Sequence, residues 1–400
     1  MKPSSRVFEK TGRVPVAGIF VAGLLCVFLL AGCRKPATVA AGPEAGAPSA
    51  INPVDIGVLL PLKGEAQSSG DAVLNGMVFA AEESNKAGGV LGRPIRLIVR
   101  DTRSEPDRAV RAARDLVEQD KAVALVGGIS AGSAESAKVA DELAIPMLAL
   151  GSTMPGIPSR EPWIFRICYA DAFSGRVMAK FAESLNASRA LVLYDSGSDY
   201  AKALSLAFGR QFKNRKGAGI ALETYTPDLA GLDATLAEIK RKSPDLVYLP
   251  ASAGEAGEIL KRARQAGIMV PFLGTASWDS PQFLEIAGEA ANGCYLPGRF
   301  VPGGADAVGK TFEENYSLRH GKPAPGLAAM GFDAVVLLRN AIQRAGGTDA
   351  SSLRKALAET MGFPGLTGEI TIDPEMAVTK AVPVLKCEGG KLVFLEEIRP

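Results

Sequence analysis

The residues of this chain best suited to chemistry lie in two short loops. Gly128-Ile129-Ser130-Ala131-Gly132 fits the pattern G-x-S-x-G, in which a serine on a tight strand-to-helix turn serves as a nucleophile. Gly151-Ser152-Thr153 adds two more hydroxyls. The same residues also suit noncovalent work, because hydroxyls and free amides at a helix start recognise a carboxylate or another strong acceptor. Ser252-Ala253-Gly254 repeats Ser130-Ala131-Gly132 without the leading glycine. Hydrolysis therefore accounts for one copy, whereas recognition accounts for both. A hydrolase would need His320, the only histidine, together with an upstream acid such as Asp279. His320 sits in LRHGKP, which reads as an exposed helix end. The first strand is followed by PLKGEAQSSG, with no G-x-G-x-x-G for a dinucleotide. Cys168, Cys294 and Cys387 are too widely spaced, and one histidine too few, to make a metal site. No cofactor is implied.

The elements that must position these loops follow from the apolar pattern. Val123–Val126 is short, β-branched and bounded by Gly127-Gly128, as expected of a strand buried on both faces of a parallel sheet. A helix capped by Ser130 follows and ends before Pro146, and Met147–Leu150 is the next strand. Asp245–Ser277 repeats this order, with Pro271-Phe272-Leu273 echoing Pro146-Met147-Leu148. Upstream, strand Val54–Leu60, a long polar loop, a helix from about Asp71 to Asn85, strand Ile95–Val99 and helix Pro106–Gln119 complete one β-α-β series. Downstream, helices Phe173–Leu185, Tyr200–Phe212 and Leu232–Arg241 alternate with strands Ala190–Tyr194 and Gly219–Thr224. The expected fold class is α/β, with two Rossmann-like lobes built on parallel sheets and joined by a multi-strand hinge. Ile167–Ala170 and Gly293–Leu296 resemble one another and are expected to cross between lobes. Helices near Asp306–Arg319 and Leu327–Ala345 return to the first lobe, and strands Glu369–Ile372, Val382–Cys387 and Leu392–Leu395 finish the second. In such sheets ligands bind outside the carboxyl ends of the strands.

Composition supports two ordinary cores, with 400 residues, 47% hydrophobic and 22% charged. Lys2, Arg6, Lys10 and Arg13 precede an uncharged stretch from Val14 to Gly32 ending in Leu30-Ala31-Gly32-Cys33. This is the order of an export signal. LAGC resembles the bacterial lipoprotein cleavage signal, which would leave Cys33 as a lipidated first residue; an uncleaved anchor is the competing explanation. Removing residues 1–32 takes away four basic residues and one acid, so the formal +2 becomes −1, with 41 basic against 42 acidic side chains. That leaves no basic footprint for nucleic acid. The Ala-, Pro- and Gly-rich segment that follows serves as a flexible tether.

IGVLLPLKGEAQSSGDAVLNGMVFAAEESNKAGGVLGRPIRLIVRD, RICYADAFSG and PFLGTASWDSPQFLEIAG resemble the type I periplasmic solute-binding proteins of branched-chain amino acid and amide ABC transporters. The similarity covers nearly all of the chain from Val54 to Pro400. With residues 1–32 read as lipoprotein signal and 33–53 as tether, it implies 54–170 with 299–370 as the first lobe, and 171–298 with 371–400 as the second. It also implies a small solute held in the cleft, an ABC permease of the inner membrane as partner, a lipid anchor, and no catalysis. The family's carboxylate-holding positions fall at Ser130 or Ala131 and at Gly151 and Thr153, with Ser152 between them. On the second lobe Asp171 and Tyr200 match cleft positions that such proteins use, while Ser69, in the first long loop, stands where relatives often carry an aromatic residue and Ser252 where others present a tyrosine. Ala276 replaces an acid that commonly pairs with an α-ammonium, and Asp279 is the nearest substitute. Structural explanations compete at several positions: Ser130 and Asp171 as helix N-caps, Tyr200 as a buried aromatic, Trp278 as packing. A lipoprotein activator of penicillin-binding proteins, acting by protein contacts, shares the resemblance and is the alternative function.

Overall fold

Val54, Ile56, Val58 and Leu60 of the first strand face one core while Leu59 faces another, so this strand must be covered by helices on both sides. The computed structural model describes residues 52–64, 66–129, 132–151, 163–169, 171–373, 378 and 380–399, all within one unit spanning 50–400. The first series runs β1 (Val54–Leu60), α1 (Gln67–Lys86), β2 (Ile95–Asp101), α2 (Pro106–Glu118), β3 (Ala124–Gly127), α3 (Ser133–Glu142), β4 (Met147–Ala149) and β5 (Ile164–Arg166). Its sheet has the order β2-β1-β3-β4-β5, and every pairing is parallel. Residues of α2 and α3 cover one face.

The second series runs α4 (Asp171–Ser184), β6 (Arg189–Asp195), α5 (Asp199–Phe212), β7 (Gly219–Tyr225), α6 (Leu232–Lys242), β8 (Leu246–Tyr248), α7 (Ala253–Gln265), β9 (Phe272–Leu273), α8 (Pro281–Ala287) and β10 (Tyr295–Pro297). The chain then returns to the first lobe as α9 (Ala307–His320), α10 (Gly326–Ala345), α11 (Ala350–Ala358), β11 (Phe363–Gly365) and β12 (Gly368–Ile370), before β13 (Val382–Glu388) and β14 (Lys391–Ile398) close the second. The second sheet has the order β14-β13-β10-β9-β8-β6-β7. It is parallel except where β13 pairs with β10 and β14. Residues of α4 and α5 cover one face and those of α6, α7 and α8 the other.

Several expectations are corrected. Helix α1 begins at Gln67 rather than Asp71. Gly70 lies inside its first turn because the chain there touches the end of β1; a Cβ on it would stand 2.0 Å from the Pro61 carbonyl oxygen. Helix α3 is capped by Gly132, left-handed at φ 87°, with no side-chain cap bond, so the helix starts later than a Ser130 cap would place it. Gly293–Leu296 is not a crossing segment: Tyr295 and Leu296 lie in β10, and the chain leaves the sheet after Pro297. Glu369–Ile372 does not finish the second lobe. Its strand β12 pairs with β11, and Ile370, Ile372 and Val378 pack into the first core. The third crossing therefore falls after Val378 rather than at residue 371. Helix α11 was not anticipated, although Asp349 accepts from the Ser352 amide as its cap.

Candidate functional site

The loops after β3 and β4 lie side by side. The Leu150 amide donates to the Gly127 carbonyl at 2.9 Å and the Gly151 amide to the Gly128 carbonyl at 3.0 Å. Gly128 turns the chain at φ 82°, a conformation glycine adopts without penalty. Gly151 is exposed, and a Cβ there would approach the Ile129 Cα to 3.3 Å, so the two loops are in close backbone contact. This joins the loop carrying Ser130 and Ala131 to the loop carrying Ser152 and Thr153. Those four side chains lie outside the described residues.

In the second lobe Asp171 is the first residue of α4, and its side chain also lies outside the described residues. Tyr200 is in the first turn of α5, with 36% of its surface exposed. Ser252 caps α7 and forms a capping box with Glu255, its hydroxyl 2.7 Å from the Glu255 carboxylate. That hydroxyl therefore has a structural duty. The loops after β8 and β9 are joined at the Ala251 carbonyl, which accepts from the Ser277 hydroxyl at 3.0 Å and the Trp278 indole at 3.2 Å. Trp278 is fully buried and stacks on Phe283, so it packs rather than lines a cleft. Ala276 lies between these anchors, 8% exposed.

Asp279 is 4% exposed. Its carboxylate accepts from the Arg299 amide at 3.1 Å and faces the start of α10, where a Cβ on Gly326 would come within 2.1 Å of it. Burial pushes this carboxyl up, while the Arg299 charge and the Arg299 and Gly326 amides pull it back. The Arg299 guanidinium in turn donates to the Ala276 carbonyl. Asp279 thus binds the second-lobe loop to the segment leaving β10 and to the positive end of α10. Sequence reasoning missed Arg299 and Gly326, whose partners are 20 or more positions away in the chain.

Ser69 is half-buried in the first turn of α1. Its neighbours Gln67 and Ser68, with Asp71 and Asn75, face Gln282 and Glu285 of α8 across a crevice of about 390 Å³. This is a described space with walls from both lobes. His320 ends α9, its ring 4.4 Å from that of Tyr316, and burial pushes its pKa down, helped by Arg319 and Lys322. Its Nε2, the nitrogen that would face a serine nucleophile, is buried without a hydrogen-bond partner among the described residues. Among the described residues no group of three or more His, Cys, Asp or Glu residues is arranged to hold a metal. Cys168, Cys294 and Cys387 are buried and form no disulfide among the described residues. The Arg108 and Arg114 side chains pair with Glu105 and Glu142 on an exposed face.

The "Periplasmic binding protein" family model spans residues 53–391 of the chain. An amino acid binding protein of Pseudomonas aeruginosa is 30% identical over 75% of this chain and 81% of its own length. The leucine binding protein LivK of Thermotoga maritima is 32% identical with a TM-score of 0.77, covering 87% of this chain and 99% of that one. The branched-chain amino acid transporter substrate binding protein LivJ of Streptococcus pneumoniae, in complex with isoleucine, is 28% identical with a TM-score of 0.80, covering 87% and 100%. With two α/β lobes, strand-end loops in contact and a match of this extent, the chain belongs to the periplasmic binding protein family, type I and leucine/isoleucine/valine-binding-like, whose members bind solutes and are not enzymes.

Proposed function

We propose that this protein is the extracytoplasmic substrate-binding component of an ABC importer for amino acids of the branched-chain type, or for related small carboxylates and amides. The observation that carries this reading is the apposition of the β3 and β4 loops through Gly128, Ile129 and Gly151. It gathers backbone amides at the carboxyl edge of a parallel sheet, where an acidic or carbonyl group is best received. Ser130, Ala131, Ser152 and Thr153 then hold that group, and Asp171 and Tyr200 engage it from the second lobe as the hinge closes. Ser69 stands at the rim. Relatives named for amino acid binding favour solute capture over an envelope regulator acting by protein contacts.

Ala276 offers no carboxylate and Asp279 is enclosed by Arg299 and Gly326, so an α-ammonium relies on Asp171 for its counter-charge. A buried ammonium without one would be costly. Titration calorimetry of Thr153→Ala and Asp171→Ala against amino acids should show about tenfold or greater loss of affinity in each, the effect of one charge-assisted hydrogen bond. Retention of full affinity in both discards the assignment. The export signal, the Cys33 anchor and a permease in the inner membrane complete the proposal. The wild-type protein should incorporate labelled fatty acid and the Cys33→Ser variant should not, and equal labelling of the two or none in either would count against lipidation.

A further inference from the structure

A buried set of polar side chains, Tyr169, Asp333, Thr367 and Lys380, lies at the hinge. The chain passes between lobes three times, and hydrogen bonds tie the crossings together. The Tyr169 hydroxyl, on the first crossing, donates to the Gly298 carbonyl on the second at 3.2 Å. Lys380, on the third, donates through Nζ to the Thr367 hydroxyl at 2.7 Å and to the Ile167 carbonyl of the first at 3.5 Å. The Thr367 hydroxyl donates in turn to the Asp333 carboxylate at 2.6 Å. Asp333, on α10, also accepts from the Leu366 and Thr367 amides at 2.7 and 2.8 Å. Lys380 is 6% exposed and Asp333 is fully buried.

This arrangement is unusual for a lysine. Its charge is taken out of water, which is unfavourable unless well paired, and its attraction to Asp333 is relayed through the Thr367 hydroxyl. The bond to Ile167 reaches a segment that must shift if the lobes rotate. We propose that Lys380 is a positioning residue for solute capture, its ammonium group held between the Thr367 hydroxyl and the Ile167 carbonyl so as to set the balance between the present lobe arrangement and one in which that group is hydrated. This rests on the reading that solute is taken up by lobe closure.

Burial pushes the Lys380 pKa down to about 8, against the opposing pull of Asp333 on α10 and Cys168 on the first crossing, with Arg299 on the second lowering it further. In a hydrated hinge the group returns toward its ordinary value near 10.5. Between those values the hydrated arrangement holds more protons, so rising pH favours the present one, and falling pH the other.

The test follows the distance between spin labels attached through Glu83→Cys on α1 and Lys261→Cys on α7, in protein carrying Cys26→Ser and Cys33→Ser, where Cys168, Cys294 and Cys387 are buried. Both sites are exposed. Without solute, between pH 7 and 10, the ratio of the present arrangement to the other should rise several-fold, by at most about tenfold per pH unit for one proton. Lys380→Met should abolish the rise. Thr367→Val, which keeps its shape while removing the acceptor that stabilises the ammonium, should move the midpoint to lower pH. A flat wild-type profile, a rise that persists in Lys380→Met, or an unmoved midpoint in Thr367→Val overturns the assignment. Because no solute is present, that result leaves solute capture to be judged by calorimetry alone.

Discussion

Asp245 shows how much one side chain can do away from the site. Its carboxylate accepts from the Ser188 amide and hydroxyl, at 2.9 and 3.1 Å, and from the Arg189 amide and guanidinium, at 2.8 and 2.9 Å. It thereby ties the start of β6 to the start of β8. Burial pushes its pKa up, but these donors outweigh burial and hold it at about 2. A carboxyl depressed by folding stabilises the protein above its unfolded value near 3.9, and this contribution disappears as pH falls through the folded value. Asp245→Asn should therefore cost about 1–2 kcal/mol at pH 7, after allowance for its partial exposure, and much less at pH 2.5. Urea titrations at the two pH values would check this, and an equal loss at both would refute the linkage. Asp279 and Asp333 act in the opposite sense. Burial raises both, so folding favours their protonated forms and they subtract stability as pH rises through their folded values.

At the level of elements, the packing of α1 on α10 is set by glycine. A Cβ on Gly76 would stand 1.9 Å from the Ala328 carbonyl oxygen, and one on Gly331 2.2 Å from that of Val73. The helices therefore touch through their backbones, and this contact places the first turn of α1 beside the crevice. Gly76→Ala should destabilise by about 1–3 kcal/mol, because backbone must move to admit the methyl group, even though alanine is the better helix former by about 1 kcal/mol. Gly209 in α5 is the control, since its nearest neighbour would be Ile220 Cδ1 at 3.7 Å, an ordinary contact. Gly209→Ala should stabilise by up to about 1 kcal/mol. Urea melts of the two variants should move in opposite directions, and parallel shifts would show that the tight approach does not matter.

For the whole molecule, the decisive property is that solute binds the folded two-lobed form and not the unfolded chain. Its melting temperature must then rise with solute concentration, by about 2.7 kcal/mol of added stability at one hundred times the dissociation constant. A thermal-shift screen of branched-chain amino acids, amides and small carboxylates measures this directly. A flat response across that set would contradict transport of those solute classes. The three hinge crossings link this property to Lys380, since a solute that closes the lobes must work with or against the bond from its ammonium group to Ile167.

The alternation of apolar strands with amphipathic helices, the two Ser-Ala-Gly loops and the echo of Pro146-Met147-Leu148 in Pro271-Phe272-Leu273 are local patterns, and the sequence by itself determined from them the fold class and the parallel strands of both series, β1 to β4 and β6 to β9. It misjudged the starts of α1 and α3, because Gly70 and Gly132 owe their identity to Pro61 and Ala109, neighbours in space that no local period reveals. The role of Asp279 was likewise illegible. A carboxylate three residues from Ala276 resembles a ligand group until Arg299 and Gly326 are seen to enclose it. Tertiary structure alone decided which strands belong to which sheet after Pro297, and that Lys380, Thr367 and Asp333 meet at the hinge. Those outcomes depend on long-range pairing and burial, which are properties of distance in space rather than of spacing along the chain.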